Sequence, residues 1–347
     1  MALILARQTC LRQMIAYNED RKDVAQSLTR MGLLRDGEAF EIAPLAGGVS
    51  CDVWRVTVGA RDMVVKRALP KLRVKEEWRA PAERAGTEVD WFQLVAGIDP
   101  RRVPEILGED RPHHIFAMEY LAPETYPLWK TELATGKADA DFAAAVGEAL
   151  ARIHTATAGR EDVAHDFAHD AQFHALRLEP YLLFTAKKHP NLAPRIRALV
   201  DNVAEARIAL MQGDISPKNI LIGPEGPVFL DAETACYGDP AFDIAFCLNH
   251  LLLKCVWHPQ FAEAYRESFD ALARSYLENV TWEEPTDIET RIAALLPALL
   301  LARVDGKSPV EYLTTKKEQD FVRNAARTMF GSRDLVDIAG RWDSLKP

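Results

Sequence analysis

The sequence lacks the features that identify secreted, membrane-spanning or disulfide-stapled proteins. It has five cysteines in 347 residues and no CxxC pair, so neither a zinc site nor a disulfide framework is indicated. The apolar stretch at residues 2–6 is too short for a signal peptide and is broken by Arg7. No window is long enough and apolar enough to span a bilayer. We therefore expect a cytoplasmic protein that does not bind membranes.

Basic residues are not in excess either. The chain has 42 Lys and Arg against 51 Asp and Glu, for a formal net charge of −9. This balance argues against a nucleic-acid groove and favours neutral or cationic small substrates. A hydrophobic fraction of 48% predicts a large core, organised in two lobes. No repeat, low-complexity tract or coiled-coil heptad is present, and a monomer and a homodimer are both compatible with the sequence.

The second half of the chain contains a polar stretch built around a predicted hairpin. Two short apolar runs, 220–222 and 228–230, flank a Gly/Pro turn and should hold Asn219 and Asp231 at neighbouring strand ends. Asp214 in the preceding loop could accept a proton, and the other two side chains offer the hard oxygen ligands that Mg²⁺ prefers. The spacing matches the catalytic loop and metal-binding Asp of the protein-kinase template. We interpret it as a phosphoryl-transfer centre.

In the first half of the chain, three stretches have apolar residues at every second position, which predicts strands. These stretches lie at 40–42, 53–58 and 63–66. The turn between the first two contains Gly47, Gly48 and Ser50, and its paired glycines would let backbone N–H groups approach a phosphate closely. Such a turn also occurs in ordinary hairpins, so by itself it is weak evidence for a phosphate site.

Lys66 ends the third strand, where kinase-like folds place the lysine that contacts ATP phosphates. A helix should begin near Pro81, which suits a first helical position. Glu88 in that helix is the expected ion-pair partner of Lys66, with Glu83 as the alternative. In the competing interpretation, all three charged side chains are ordinary surface residues.

Further strands at 103–107 and 114–118 would complete a small antiparallel sheet. The chain then leaves as an extended linker in which the backbone of Glu119 and Leu121 could bind an adenine edge. A mostly helical second lobe begins with the amphipathic segment 138–156. Arg303 ends an apolar helix there, so it either reaches the surface or points into a cleft.

Other features have structural interpretations. The histidine-containing segment 159–194 is explained by a solvated helix or loop, and 195–210 should be helical. Asp243 should cap a helix and brace a neighbouring loop. Trp78 and Trp129 fit packing better than a lid over substrate.

In combination these residues resemble the aminoglycoside phosphotransferase and choline kinase family of protein-kinase-like enzymes, over roughly 40–310. The matching positions are Gly47, Gly48, Lys66, Glu88, Gly213, Asp214, Asn219, Asp231, Glu233 and Gly238-Asp239-Pro240. The most specific piece is Asp231-Ala232-Glu233, because the family has Asp-x-Glu where protein kinases have Asp-Phe-Gly. The segment 65–73 and the loop from Trp78 to Glu88 look more like the 5-methylthioribose kinase branch.

Two departures accompany the resemblance. Gln212 stands where the family usually has His, which should affect loop bracing more than proton transfer. Of the paired arginines that the methylthioribose enzymes use for their sugar, only Arg303 matches, so a different acceptor is at least as compatible with the sequence.

The resemblance implies an α+β, bilobal protein-kinase-like fold. The expected divisions are a helical appendage at 1–37, a nucleotide-binding lobe at 38–121 and a helical lobe at 122–347. It further implies ATP and Mg²⁺ as cofactors, Glu233 as an additional metal ligand, and transfer of phosphate to a hydroxyl of a sugar-like or aminoglycoside-like molecule. The alternative is a catalytically silent nucleotide-binding module that acts through a protein partner; the presence of Lys66, Asp214, Asn219 and Asp231 argues against it.

Overall fold

The structure, a computed structural model, describes residues 18–45, 50–73 and 80–345. The chain divides into two compact units. The first comprises Met1–Gln93 and Pro104–Tyr120, and the second comprises Leu94–Val103 and Leu121–Pro347.

The first unit is built on a five-stranded antiparallel sheet with the strand order β1-β2-β3-β5-β4. Its strands are β1 (Phe40–Pro44), β2 (Cys51–Val58), β3 (Arg61–Ala68), β4 (Ile106–Asp110) and β5 (Ile115–Glu119). All five were expected from the sequence, the first three from their period-two pattern, although β4 was placed too early, at 103–107. Buried Val103 lies before the strand, just after a 3₁₀ turn at Pro100–Arg102, which explains the error.

Helix α1, residues 18–30, covers one face of this sheet. Val24 and Leu28 are fully buried among side chains of the sheet such as Trp54, Val56 and Val65. These strand residues share a face because side chains alternate along a strand. Residues 1–17 of the predicted N-terminal helical segment lie outside the described residues.

Helix α2 (Arg84–Ile98) contains Glu88, which pairs with Lys66 of the sheet. Lys66 follows Val65 in β3 and therefore points away from α1. The helix begins three residues after Pro81 and follows a turn, where the buried guanidinium of Arg84 binds the carbonyl oxygens of Ala80 (3.2 Å) and Pro81 (2.7 Å).

The second unit is mostly helical. Its α-helices are α3 (Trp129–Ala134), α4 (Ala140–Thr157), α5 (Glu161–Asp166), α6 (Asp170–Phe173), α7 (Phe184–Lys188), α8 (Ala193–Glu205), α9 (Ala241–Trp257), α10 (Ala262–Glu278), α11 (Pro285–Asp305), α12 (Lys316–Met329) and α13 (Leu335–Leu345), with a π-helix at His174–Leu183. Helix α9 is buried along nearly its whole length, which explains its continuous apolar sequence.

Two small antiparallel ribbons interrupt these helices: β6 (Ala209–Met211) with β9 (Cys236–Gly238), and β7 (Ile220–Gly223) with β8 (Gly226–Phe229). The second ribbon is the predicted hairpin. The expectation that the helix continues to Leu210 was wrong, because α8 ends at Glu205 and Leu210 lies in β6. Such a short strand has no room for a visible alternation.

The burial of side chains tests two further expectations for this unit, one for Trp129 and one for the segment 159–194. Trp129 is packed edge-on against Phe142 and is almost fully buried, so it is a core residue. The interpretation of 159–194 as wholly solvated was wrong: His189 is buried and its Nε2 lies 2.8 Å from Oδ2 of Asp305. Trp78 lies outside the described residues.

The predicted fold class is confirmed: α+β, with a small antiparallel sheet in the N-terminal part and a mostly helical remainder. The expected boundaries after residues 37 and 121 stay a prediction. Over residues 18–45, 50–73 and 80–345, every helix is too short or too polar to cross a bilayer.

Candidate active site

The loop after β6 can turn sharply because of Gly213. Its φ is +79°, a conformation that L side chains rarely adopt, and a Cβ added there would lie 2.7 Å from the carbonyl oxygen of Thr234. Only glycine fits both constraints. The turn places Asp214 at the end of β6.

Asp243 and Gln212 hold this loop in place. The carboxylate of Asp243 accepts hydrogen bonds from the backbone N–H groups of Gln212 (2.7 Å) and Gly213 (2.8 Å). Asp243 therefore braces the loop as expected, but the expected helix cap is absent from its contacts: Asp239 instead accepts from Ala241 N–H at the start of α9.

Gln212 links the loop to the metal-motif segment. Its Nε2 donates to the carbonyl oxygens of Leu230 (2.7 Å) and Asp231 (3.2 Å), and its Oε1 accepts from Asp214 N–H (2.6 Å). The glutamine thus braces the backbone on both sides, and its effect relative to a histidine stays a prediction.

Asp214 is buried, and its two carboxylate oxygens differ. Oδ2 accepts from Lys218 Nζ (2.8 Å), Asn219 Nδ2 (2.8 Å) and Arg177 Nη2 (3.0 Å). Oδ1 has no hydrogen-bond partner within the described part of the chain. Three donors fix the side chain, while one oxygen stays available to a bound molecule.

The hairpin brings Asn219 and Asp231 together as predicted. Leu230 N–H donates to Asn219 O at 2.8 Å, which joins the two strand ends. Asn219 Nδ2 also donates to Asp214 O (3.0 Å), so the amide oxygen is directed away from that carboxylate. Asp231 has a φ of +64°, an uncommon backbone conformation for a non-glycine residue and one that recurs at functional sites.

Two cations near these carboxylates were not predicted from the sequence. Arg177, in the π-helix, also donates from Nε to Gly213 O at 2.6 Å. Burial lowers the pKa of Arg177, but Asp214 and the neighbouring carboxylates outweigh burial and raise it, so the guanidinium stays charged. For Lys218 the pKa is likewise raised: burial opposes the charge, but Asp214 and Asp231 favour it.

A signal for one of these cations was present in the sequence. Lys218 stands four residues after Asp214 in the motif itself, and a lysine at this spacing could have been paired with that acid. No motif marks Arg177, which comes from a segment that the sequence only identified as rich in histidine.

Glu233 is buried two residues after Asp231, and its carbonyl oxygen accepts from Gln172 Nε2 at 2.6 Å. Its charge contributes to the raised pKa of Arg177, which places the carboxylate near the same group of charges. Within the described ranges, no three His, Cys, Asp or Glu side chains form a group that could hold a metal ion. A Mg²⁺ site here would therefore use Asn219 alongside the two acids.

The first unit contains the predicted lysine pair. Lys66 Nζ lies 2.7 Å from Oε2 and 2.9 Å from Oε1 of Glu88, and both side chains are buried. Glu88, rather than Glu83, is thus the partner of the lysine. Burial removes the competing interpretation of these two as surface residues.

The remaining predicted positions are placed as follows. Gly47 and Gly48 lie outside the described residues. Ser50 is buried, and its carbonyl oxygen accepts from Arg84 Nη2 at 2.5 Å. The N–H of Glu119 donates to Glu105 O at 2.8 Å, so of its backbone groups only the carbonyl could serve an adenine. Leu121 is the first residue of the longer segment of the second unit.

Arg303, the predicted substrate contact, is buried near the C-terminus of α11. Its Nη1 donates to the carbonyl oxygen of Ser308 and lies 3.3 Å from the hydroxyl of Tyr181. It therefore does not reach the surface, which decides between the two alternatives left by the sequence.

Curated relatives of this chain are small-molecule kinases by name. Methylthioribose kinase 1 of rice is 25% identical over 243 residues, which cover 62% of this chain and 56% of the relative. The chain thus spans little more than half the length of that protein. A probable ketoamine kinase of Klebsiella aerogenes is 26% identical over 272 residues, covering 70% of this chain and 83% of the relative.

Among solved structures, amicoumacin kinase hAmiN in complex with AMP-PNP, Ca²⁺ and Ami superposes with a TM-score of 0.50 at 13% identity. The superposition covers 88% of this chain and 87% of that one. This likeness shows the fold alone. The sequence model of the phosphotransferase enzyme family, APH, matches residues 41–278. This range contains the strands, the lysine pair and the loop and hairpin described above, and the chain therefore belongs to the phosphotransferase enzyme family.

Proposed function

We propose that this protein transfers the γ-phosphate of ATP to a hydroxyl group of a small molecule, with Mg²⁺. The observation that carries the proposal is the state of Asp214. One of its oxygens is fixed by three donors, and the other is buried without a hydrogen-bond partner among the described residues. A carboxylate held in this way is suited to orient an acceptor hydroxyl and to take its proton.

In the proposed step the acceptor oxygen forms a bond to the γ-phosphorus as the bond from that phosphorus to the β,γ-bridging oxygen breaks. ADP leaves with the electron pair of the broken bond, and the hydroxyl proton passes to Oδ1 of Asp214. Little covalent chemistry is required of the protein, so its contribution is position and charge. Lys218 and Arg177 would limit the charge that accumulates around Asp214.

The residues at the hairpin fit Mg²⁺ by their donor chemistry. Asn219, Asp231 and Glu233 supply only oxygen ligands, and few protein carboxylates suffice because Mg²⁺ is commonly completed by substrate phosphates and water. The amide of Asn219 is turned by its two bonds to Asp214 so that its oxygen is directed elsewhere. When bound, Mg²⁺ would neutralise phosphate charge.

The nucleotide would be held by residues of the first unit and the linker. Lys66, fixed by Glu88, would contact the α- and β-phosphates. Gly47, Gly48 and Ser50 would cover the phosphates with backbone N–H groups, and the backbone at Glu119 and Leu121 would bind adenine. The names of the relatives, kinases of methylthioribose and of ketoamines, support a small hydroxylated acceptor.

The test is Asp214→Asn, which keeps the size and one acceptor oxygen of the side chain. We expect kcat to fall by about 10²–10⁴-fold, because the amide cannot take the proton. The dissociation constant of Mg-ATP should stay unchanged. The kcat is measured by ADP release over a panel of sugars, alcohols and aminoglycosides. The dissociation constant is measured by calorimetric titration of nucleotide.

Asp166→Asn is the matched control, since this exposed aspartate in α5 makes the same change in charge away from the loop. Full turnover in Asp214→Asn would contradict the role of Asp214. Tight binding of Mg-ATP by the wild-type protein without turnover of any acceptor would instead favour the nucleotide-binding module.

A further inference from the structure

The second unit contains a polar recess beside the catalytic loop. Its lining residues are Lys130, Pro217, Lys218, His250, Lys254, Arg303, Glu311 and Tyr312. The volume is about 280 Å³ with the open mouth included, and the enclosed part has room for about one water molecule. The deep part therefore suits one small polar group, with the rest of a ligand lying at the mouth.

Lys254 is the most unusual residue of this recess. Its side chain, on α9, is 1% exposed, and its Nζ has no hydrogen-bond partner in the part of the chain that the structure describes. The ammonium lies over the rings of Tyr312 (3.9 Å to the centroid) and Trp257 (4.2 Å). Aromatic faces attract a cation but leave its three N–H donors unused.

Three more buried polar atoms of the recess have no hydrogen-bond partner among the described residues. They are Nε of Arg303, Nε2 of His250 and the hydroxyl of Tyr312. Native proteins satisfy nearly all buried polar atoms, so four such atoms lining one recess require an explanation. All four can act as donors, and because their residues line one recess, they favour a ligand group rich in acceptor oxygens.

The charges of the lining residues lead to the same conclusion. Four of them are cations and one, Glu311, is an acid, although the whole chain has a net charge of −9. Glu311 already pairs with Lys130, and Lys218 pairs with Asp214. In the described ranges, Lys254 and Arg303 form no ion pair, so the recess has uncompensated positive charge.

We propose that the recess binds an anionic oxygen group of the phosphate acceptor, either a carboxylate or a phosphate. The acceptor is then a hydroxyl compound with one acidic group, such as a hydroxy acid, sugar acid or sugar phosphate. This inference rests on the proposed kinase function and specifies its substrate class. It excludes aminoglycosides, whose ammonium groups would meet Lys254 and Arg303.

The geometry connects this recess to the proposed base. Lys218 lines the recess, and its Nζ lies 2.8 Å from Oδ2 of Asp214. An acceptor whose acidic group enters the recess would thus be bound beside Lys218, the residue that pairs with Asp214. Its hydroxyl, a few bonds from the acidic group, could reach Oδ1.

The experiment compares acceptors that differ only in the acidic group. ADP release is measured for glycerol, D-glycerate and glycerol 3-phosphate, for glucose, glucuronate and glucose 6-phosphate, and for kanamycin. We expect kcat/KM to be about 10- to 100-fold higher for an acidic acceptor than for its neutral counterpart, as for one or two charge-assisted hydrogen bonds. Comparing the acceptors that have a carboxylate with those that have a phosphate shows which of the two groups the recess binds.

Variants identify the residues responsible. Lys254→Met and Arg303→Met should remove most of the preference for acidic acceptors. Lys316→Met, at an exposed lysine of α12, is the matched control and should leave it unchanged. A second measurement, calorimetric titration of D-glycerate and glycerol 3-phosphate into the nucleotide-free full chain, should show binding that Lys254→Met abolishes.

The outcomes separate this inference from the proposed function. Preferred turnover of a neutral acceptor or of kanamycin would overturn the inference while the kinase function stands. Anion binding that Lys254→Met abolishes, without transfer to any acceptor, would support the anionic recess and contradict the kinase function. Absence of anion binding in the wild-type chain, or a preference that the two variants do not reduce, would overturn the inference in either case.

Discussion

Lys254 combines almost complete burial with surroundings that oppose its charge. Burial and the nearby Lys130 lower the pKa of Lys254 to about 7, while Glu311 acts in the opposite direction. His250 and His258 are also near this ammonium, since burial and Lys254 both lower their pKa values, and the rings of Tyr312 and Trp257 lie against it. An unliganded cation in this position should destabilise the folded protein.

We predict that Lys254→Met stabilises the nucleotide-free protein in a pH-dependent way. An unfolded lysine has a pKa of about 10.4, so between about pH 7 and 10 the unfolded wild type binds more protons and its stability rises with pH. The variant lacks this contribution. Urea unfolding at pH 6, 7.5 and 9 should show the variant more stable by a few kcal/mol at pH 6 and by less at pH 9, because a pKa difference of one between the folded and unfolded states corresponds to about 1.4 kcal/mol.

Lys316→Met serves again as the control, because that lysine is exposed and should change stability by less than about 0.5 kcal/mol. A difference between wild type and Lys254→Met that stays constant from pH 6 to pH 9 would show that Lys254 does not titrate in this range. A less stable variant would show that the cation has a structural partner.

The candidate site shows which residues a sequence reveals. Asp214, Asn219 and Asp231 were predictable because one loop and one hairpin hold them, so their spacing along the chain reflects their spacing in the fold. Arg177 and Lys254 come from helices far along the chain in either direction. Their position near the site depends on how those helices pack, which no local pattern records.

Helix α1 is the element whose contribution can be tested most directly. Leu28 is fully buried against the sheet, whereas Gln26 on the same helix is exposed. Leu28→Ala should lower the free energy of unfolding by about 2–5 kcal/mol, through lost apolar burial and the cavity that remains. The measurement is urea unfolding followed by circular dichroism.

Gln26→Ala is the matched control and should change stability by less than about 0.5 kcal/mol. An equally small effect of Leu28→Ala would mean that α1 can separate from the sheet at little cost, as expected of an appendage. The salt bridge between Arg30 of α1 and Asp110 of β4, with Nη2 and Oδ2 2.6 Å apart, should oppose such separation.

Element prediction succeeded where the pattern was long or strongly periodic. Strand β2, around Trp54, alternates between buried and half-buried residues because one of its faces meets α1. The start of α2 was misplaced, because Pro81 is followed by a turn, in which Ala85 N–H donates to Ala82 O (3.1 Å) and the side chain of Arg84 binds Pro81 O, before the helix begins. The π-helix that carries Arg177 has no sequence signal comparable to these.

At the scale of the whole molecule, the α+β fold was predictable because the strands of the larger sheet all precede residue 120, while the long apolar helices follow it. The last of these strands along the chain, β5, ends at Glu119. The acceptor was not predictable. The expectation of neutral or cationic substrates rests on the net charge of the whole chain and stays a prediction, because net charge does not record which side chains line one recess, as Lys254 and Arg303 do.

The buried Lys66–Glu88 pair allows the stability of the protein to be separated from its proposed activity. Removing one partner breaks a buried ion pair, so Lys66→Met or Glu88→Leu alone should cost about 3–5 kcal/mol of unfolding free energy. The double variant replaces the pair with apolar side chains and should recover most of that loss. Phosphate transfer should nevertheless fall by at least about 100-fold in all three variants, because none has both the cation and its positioning carboxylate.

Denaturant unfolding and ADP release, measured on the same preparations, test this separation. The exposed Lys316–Asp320 pair of α12 provides the control: replacing both residues should leave stability within about 1 kcal/mol and the rate unchanged. If the double variant at 66 and 88 regains both stability and rate, the pair supports folding only and the nucleotide phosphates are bound elsewhere. If it regains stability alone, the cation of Lys66 is needed for the reaction rather than for the fold.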